Sequence, residues 1–145
     1  DLLGDGERVG VEGEAEALID GDRFGSSIAN IGALDANGMP DLAVGAEGDD
    51  DSGTNRGAVW ILFMKTNGKV NEQEKVSGSQ GKFKENLDNG DAFGSALADV
   101  GNLNNNKGVD IAVGAPLDDD KKTDAGAVYI LFMERKEEEE RVGFF

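Results

Sequence analysis

The 145-residue chain has no cysteine, no histidine and only two prolines, and its 14 basic residues are outnumbered by 30 acidic ones, for a formal net charge of −16. Without cysteine there are no disulfides, no thiolate metal sites and no cysteine nucleophile. This does not fix the redox compartment, because an extracellular protein can also lack cysteine. Without histidine the commonest general base and the commonest zinc ligand are missing. The strong negative charge opposes binding to nucleic acid phosphates and to anionic lipid. No apolar run approaches the ~20 residues of a membrane-spanning helix. The chain opens at Asp1 rather than Met, with no charged-then-apolar leader, which reads as a processed chain or a piece of a longer one.

Glycine, by contrast, is abundant. Its 22 residues are about 15% of the chain, roughly twice the usual ~7%. With 38% apolar residues, this predicts short elements joined by tight turns. So acidic a composition also fits disorder, but the apolar residues are grouped and repeated. Residues 21–65 and 90–134 align without a gap at an offset of 69, with 25 of 45 positions identical. The period is one structural unit. Glu7-Arg8-Val9-Gly10 recurs as Glu140-Arg141-Val142-Gly143, and Lys75-Val76-Ser77-Gly78 is a looser copy. The expected division is therefore 1–20 as the last strand of a preceding unit and a connector, 21–89 as the first unit, and 90–145 as the second unit with an acidic strand or tail.

Each unit reads as four antiparallel strands. Asp41–Ala46 and its twin Asp110–Ala115 are short apolar runs ending near glycine, too short for helices. Gly57–Met64 and Gly126–Met133 are β-branched and aromatic. Phe24–Ile31 and Phe93–Val100 are rich in small residues, suited to a place where backbones approach closely. Lys69–Ser77 alternates weakly and fits an exposed outer strand. A four-stranded sheet repeated radially, with the small-residue strand innermost, is a β-propeller blade. A stacked solenoid fits less well, because its repeats are usually 20–45 residues. The expected fold is all-β, with two four-stranded blades of a partial propeller, or of a ring completed by other chains or by a longer chain.

The motifs resemble a known repeat. Phe24-Gly25, Gly45-Ala46 and Gly57-Ala58-Val59-Trp60, with Phe93-Gly94, Gly114-Ala115-Pro116 and Gly126-Ala127-Val128-Tyr129, resemble the FG-GAP repeat of the propeller heads of integrin α subunits. Glu47 stands where the repeat often has proline. The resemblance implies a calcium (Ca2+) loop between the first and second strands, of pattern D-x-D-x-D-G-x-x-D, supplying the six to eight hard oxygens calcium takes. In the first unit it maps onto Asp35, Asn37, the Met39 carbonyl and Asp41, with Gly38 at the turn and the non-ligating Ala33 at its first position. In the second it maps onto Asn102, Asn104, Asn106, the Gly108 carbonyl and Asp110. Only one of these is charged, and Lys107 replaces the turn glycine, so a metal-free Asx-rich turn explains that loop as well. Low ligand charge places any calcium site in the ~10⁻⁴–10⁻³ M class.

Asp49-Asp50-Asp51 and Asp118-Asp119-Asp120 fall after the second strands. They read as turns capped by aspartate, or as an acidic rim for basic partners or a second cation. Phe24, Phe63, Phe93, Trp60, Tyr129 and Phe132 recur at blade positions and are assigned to packing between blades. Ser26 and Ser95 fit the tight inner strand better than nucleophilic catalysis. Glu137–Glu140 reads as a solvated edge, and Phe144-Phe145 as packed on a following unit or partner. Two blades expose apolar sides, which predicts self-association, a place in a larger chain, or docking in an assembly. The resemblance implies a non-catalytic extracellular or cell-surface module for protein interaction and adhesion. The alternatives are a structural repeat in a surface filament or large complex, and an accessory domain of a secreted enzyme.

Overall fold

The computed structural model describes residues 18–136. The recurrences at Glu7–Gly10 and Glu140–Gly143, the Glu137–Glu140 run, Phe144-Phe145 and most of the expected 1–20 segment lie outside them. The described residues are all-β. Strands β1 (Phe24–Asn30), β2 (Leu42–Ala46), β3 (Ala58–Met64) and β4 (Val70–Ser77) form one antiparallel sheet in sequential order. Strands β5 (Ala96–Asp99), β6 (Ile111–Ala115) and β7 (Ala127–Leu131) form a second antiparallel sheet, also sequential. These are the meanders expected of partial propeller blades.

The β2–β3 register pairs Leu42 with Leu62, Val44 with Trp60 and Ala46 with Ala58. In β6–β7, Ile111 pairs with Leu131, Val113 with Tyr129 and Ala115 with Ala127. Alternation then divides each blade into two faces. Ala43, Val59, Ile61 and Phe63 of the first blade share one core with Ile111, Val113, Ala115 and Leu131 of the second, and with Phe93. Val44, Ala46, Trp60, Leu62 and Met64 form a second buried cluster on the opposite face of the first blade. The blades thus meet through unlike faces. The face presented by β6 and β7 has the same repeat positions as the face that the first blade turns the other way.

Small residues are required where the blades touch. Ser27 Oγ donates to the Gly94 carbonyl at 2.6 Å, and Gly57 bridges to Phe93. A Cβ on Gly45 would overlap the Gly94 carbonyl oxygen, and one on Gly57, at φ 87°, would overlap Phe93. The connector between blades runs along the loop before β3. Gly90 N–H donates to the Thr54 carbonyl, Ala92 N–H to Asn55 and Phe93 N–H to Arg56, while Arg56 Nε donates to Asn89 Oδ1. At the other end Lys136 N–H donates to the Leu34 carbonyl at 2.7 Å.

Two expectations change in detail. β4 is exposed only along its first part: Val76 and Ser77 are buried, and the Lys75 side chain is only 7% exposed. Phe132, assigned to packing between blades, is 57% exposed, because it lies on the face of the second blade turned away from the first.

Gly45→Ala is expected to lower unfolding stability by about 1–3 kcal/mol through overpacking against Gly94. Urea unfolding of the variant beside the parent chain measures it.

Candidate functional site

The antiparallel order puts two kinds of loop at opposite ends of each blade. The loop between β1 and β2, and its twin between β5 and β6, carry the candidate calcium ligands. The loops after β2 and β6 carry the aspartate triplets.

The first loop is organised around Asp41, which is fully buried. Its Oδ2 accepts from Leu34 N–H at 2.8 Å and Asp35 N–H at 3.3 Å, and its Oδ1 accepts from Met64 N–H at 2.9 Å. One carboxylate therefore fastens the loop to the end of β3. Asp35 Oδ1 accepts from Asn37 N–H, Asn37 Oδ1 accepts from Met39 N–H, and Asn37 Nδ2 donates to the Met64 carbonyl. Gly38 provides the positive φ of 77°. The second loop repeats most of these bonds at the equivalent residues. Asp110 accepts from Leu103 and Met133 N–H, Asn104 from Asn106 N–H, and Asn106 from Gly108 N–H while donating to the Met133 carbonyl. Asn102 Nδ2 adds a bond to the Asn106 carbonyl. The left-handed residue shifts to Asn105, at φ 60°, which accommodates lysine at the turn position.

The structure thus brings Asp35, Asn37 and Asp41 into one loop, and Asn102, Asn104, Asn106 and Asp110 into another. Among the described residues, no three acidic side chains converge as a metal-holding group. Asp41 Oδ1 and Oδ2, Asp35 Oδ1 and Asn37 Oδ1 already accept backbone amides, although a carboxylate has about four acceptor sites in all. Two carboxylates and one amide oxygen share the first loop, whereas Asp110 is the single carboxylate among the candidates of the second.

At the other end, the leading aspartate of each triplet is buried and the next is exposed. Asp49 Oδ1 accepts from Asp51 N–H, Asp50 Oδ1 from Asn55 N–H, and Asp118 Oδ1 from Asp120 N–H. These are the capped turns expected of the triplets. Sequence reasoning missed the partners of the buried members. Lys75 Nζ lies 2.6 Å from Asp49 Oδ2 and 2.9 Å from Asp51 Oδ2, and 5.1 Å above the Trp60 ring. Burial pulls the Lys75 pKa down, but its hydrogen bonds to Asp49 and Asp51 outweigh this and hold it above the usual lysine value. Its stabilising share is present below the unfolded value of 10.5 and is lost as pH rises through the higher folded value. In the second blade, tyrosine stands at the Trp60 position, and Tyr129 Oη donates to Asp118 Oδ2 at 2.7 Å. Burial, then this bond, push the Tyr129 pKa above its ordinary value. A hydroxyl thus partners Asp118, where an ammonium partners Asp49.

Asp22 and Asp91, just before each inner strand, are also buried. Asp22 Oδ2 accepts from Ile19 N–H, and Asp91 Oδ2 from Asp88 N–H. Asp22 Oδ1 has no hydrogen-bond partner among the described residues. Burial raises both pKa values, and the neighbouring aspartates add to the rise.

No protein-family model matches the chain. Integrin alpha-11 of Homo sapiens is 37% identical over 112 residues, 76% of this chain and 8% of that protein. Integrin alpha-2 of Mus musculus is 33% identical over 95 residues, 64% of the chain and 8% of that protein. Integrin alpha-4 of Xenopus laevis is 35% identical over 98 residues, 67% of the chain and 9% of that protein. The chain spans less than a tenth of the length of these curated relatives. The similarity covers about two-thirds to three-quarters of the chain and agrees with the resemblance of its repeats to the FG-GAP units of integrin α subunits.

Asp41→Ala leaves three backbone amides facing a void and is expected to cost at least about 3 kcal/mol. Asp41→Asn keeps one acceptor oxygen and recovers part of that. Denaturant unfolding of both variants separates the two losses. Asp22→Asn keeps an acceptor for Ile19 and removes a buried charge. A raised folded pKa means that ionised Asp22 opposes folding at neutral pH and ceases to do so once protonated in both states. Asp22→Asn is therefore expected to raise the melting temperature at neutral pH, with the gain vanishing below the free value of 3.8. Melting curves across that range test it.

Proposed function

We propose that this integrin-α-like pair of FG-GAP blades is a non-catalytic, extracellular or cell-surface adhesion module, acting through protein partners as part of a larger assembly. The blade pair itself carries the reading: two propeller-type sheets share one core through unlike faces, in a chain with 33–37% identity to the integrin α relatives above. The proposed units are 21–89 and 90–145, the latter with an acidic strand or tail, after the last strand of a preceding blade and a connector within 1–20.

The face of the aspartate triplets is the proposed recognition surface. Asp50, Asp119 and Asp120 are exposed there, while Asp49 and Asp118 are consumed inside. Exposed carboxylates on a chain of net charge −16 favour a basic partner surface and steer its approach. A second reading, a structural repeat within a filament or large complex, is favoured by the copying of these loops, since each blade uses its triplet to close the same turn.

We assign weak calcium binding to the first loop, through Asp35, Asn37, the Met39 carbonyl and Asp41. The ion would add rigidity to a turn already held by Asp41. The second loop, with Asn102, Asn104, Asn106, the Gly108 carbonyl and Asp110, keeps its shape through Asx turns.

Two measurements test these assignments. Immobilised chain is expected to retain basic purified extracellular proteins over acidic ones, in a salt-sensitive way. An Asp50→Asn, Asp119→Asn, Asp120→Asn variant is expected to lose most of that retention, and equal retention by both overturns the recognition surface. Millimolar calcium is expected to raise the melting temperature by about 1–5 °C, as mass action with a dissociation constant of ~10⁻⁴–10⁻³ M gives. Asp35→Asn should abolish the shift, and a parent chain indifferent to calcium overturns the site.

A further inference from the structure

Three asparagines in the chain are followed by glycine: Asn37, Asn67 and Asn89. In such a pair the backbone nitrogen of the glycine can attack the asparagine side-chain carbon, and the missing Cβ leaves that approach unhindered. The three pairs share this chemistry but not their surroundings. Asn37 is held at both ends of its amide: Oδ1 accepts from Met39 N–H at 2.7 Å, and Nδ2 donates to the Met64 carbonyl at 2.8 Å. Asp35 and Asp41 bring two carboxylates into the same loop. Asn89 is held across the seam between the blades. Its Oδ1 accepts from Thr54 N–H and from Arg56 Nε, and Gly90 N–H, carrying the nitrogen that would attack, donates to the Thr54 carbonyl at 2.9 Å.

Asn67 stands at the tip of the hairpin between β3 and β4, where every residue from Lys65 to Lys69 is exposed. Gly68 takes φ 79°, and the turn is closed by Gly68 N–H to the Lys65 carbonyl at 3.1 Å and by Lys65 N–H to the Lys69 carbonyl at 2.7 Å. A tip of this kind opens at little cost, whereas releasing Gly90 means breaking contacts between the blades. Asn67 Oδ1 accepts from Lys69 N–H at 3.1 Å, so a backbone donor already faces the oxygen that gains negative charge during attack. The departing nitrogen, Nδ2, has no hydrogen-bond partner among the described residues. Lys65 and Lys69 also flank the pair with ammonium groups, in a chain of net charge −16. Positive neighbours favour the amide anion that attacks and the oxyanion it creates, and the carboxylates around Asn37 do the reverse. The pair has no copy in the second unit, where Lys136 stands at the Asn67 position, so the repeat does not account for it.

We propose that Asn67-Gly68 is a self-modifying site, at which the chain deamidates without an enzyme while the fold protects Asn37 and Asn89. The Gly68 nitrogen gives its proton to a solvent base and bonds to Asn67 Cγ. The Cγ–Nδ2 bond then breaks, and ammonia leaves after taking a proton from water. A water molecule opens the resulting cyclic imide at either carbonyl, giving aspartate or isoaspartate at this position. The net change is hydrolysis of one side-chain amide to a carboxylate and ammonia. A carboxylate thus appears between two lysines, and the isoaspartate product adds a methylene to the backbone of the β3–β4 turn. This end of the blade also carries the β1–β2 loop, since Asn37 reaches Met64 at the end of β3.

The test follows the whole folded chain over several days in mildly alkaline buffer. Peptide mass spectrometry reads the amide-to-acid mass change at each of the three asparagines, and labelling by an isoaspartate methyltransferase reads the isoaspartate product. Asn67 is expected to convert at least about tenfold faster than Asn37 or Asn89, because conversion at those two waits on local opening. In guanidinium the three rates are expected to fall within about threefold of one another, since only the flanking residues then distinguish them. Lys65→Gln together with Lys69→Gln leaves the Asn-Gly pair in place and is expected to slow its conversion about two- to fivefold, in line with the strength of exposed charge interactions. Asn37 or Asn89 converting as fast as Asn67 in the folded chain overturns the proposal. So does an intact Asn67 in the folded chain at a time when the unfolded chain has converted. A lysine variant that converts at the parent rate overturns the part given to the two ammonium groups.

Discussion

Each blade is held at one end by a buried carboxylate. Asp41 and Asp110 open the second strand of their units, and each receives backbone N–H groups from the loop before it and from the end of the third strand. A buried carboxylate is costly unless its lone pairs are filled, and here amides of two separate segments fill them. The loop is closed against the sheet as a result, and in the first blade Ile31 and Leu34 reach the core that both blades share. The meander, the faces and the seam between blades all lie downstream of that closure.

The opposite end shows how a fold with many acids keeps some of them inside. Asp49 and Asp118 occupy the same position and make the same turn bond, yet their second oxygens are met differently. Lysine from the fourth strand reaches Asp49 over the face of Trp60, while the hydroxyl of Tyr129 reaches Asp118 from the third. Trp60 and Tyr129 are equivalent in sequence, so an indole that supports an ammonium has been exchanged for a phenol that supplies its own proton. The local charge changes and the turn does not. Asp22 and Asp91 lie near these sites and carry the residual cost, with pKa values raised by burial and by the surrounding aspartates.

Most of the strand plan was legible in the sequence, because short apolar runs bounded by glycine are strand signals and the 69-residue repeat doubled each of them. The close approach of small-residue strands was legible for the same reason, and Gly45, Gly57 and Gly94 lie at that contact. The triplets were legible as capped turns, since aspartate bonds its own backbone two residues on. The partners of the buried acids were not. Lys75 lies 26 residues from Asp49 in a strand whose pattern reads as exposed, and no local rule places its ammonium beneath the turn. The Asp41 position was read as a metal ligand, but its role as an amide acceptor emerges only once Met64 is brought alongside. Phe132 was misjudged because a repeat copies its residues while the neighbours of each copy differ.

The unlike faces of the blades give the array a direction. An interface between identical patches is satisfied by two partners and then stops, whereas one between different patches always leaves one of each kind unused. A row of such units therefore has distinguishable ends, like a filament with a growing and a starting tip, and only curvature that returns one tip to the other can finish it. It also means that duplicating a unit within the row needs no new surface, since each copy accepts on one side what it offers on the other. A gene that lengthens by whole periods of 69 residues can thus extend the protein by reusing the same kind of contact, and the 25 of 45 aligned positions that the two units share fit a history of that kind.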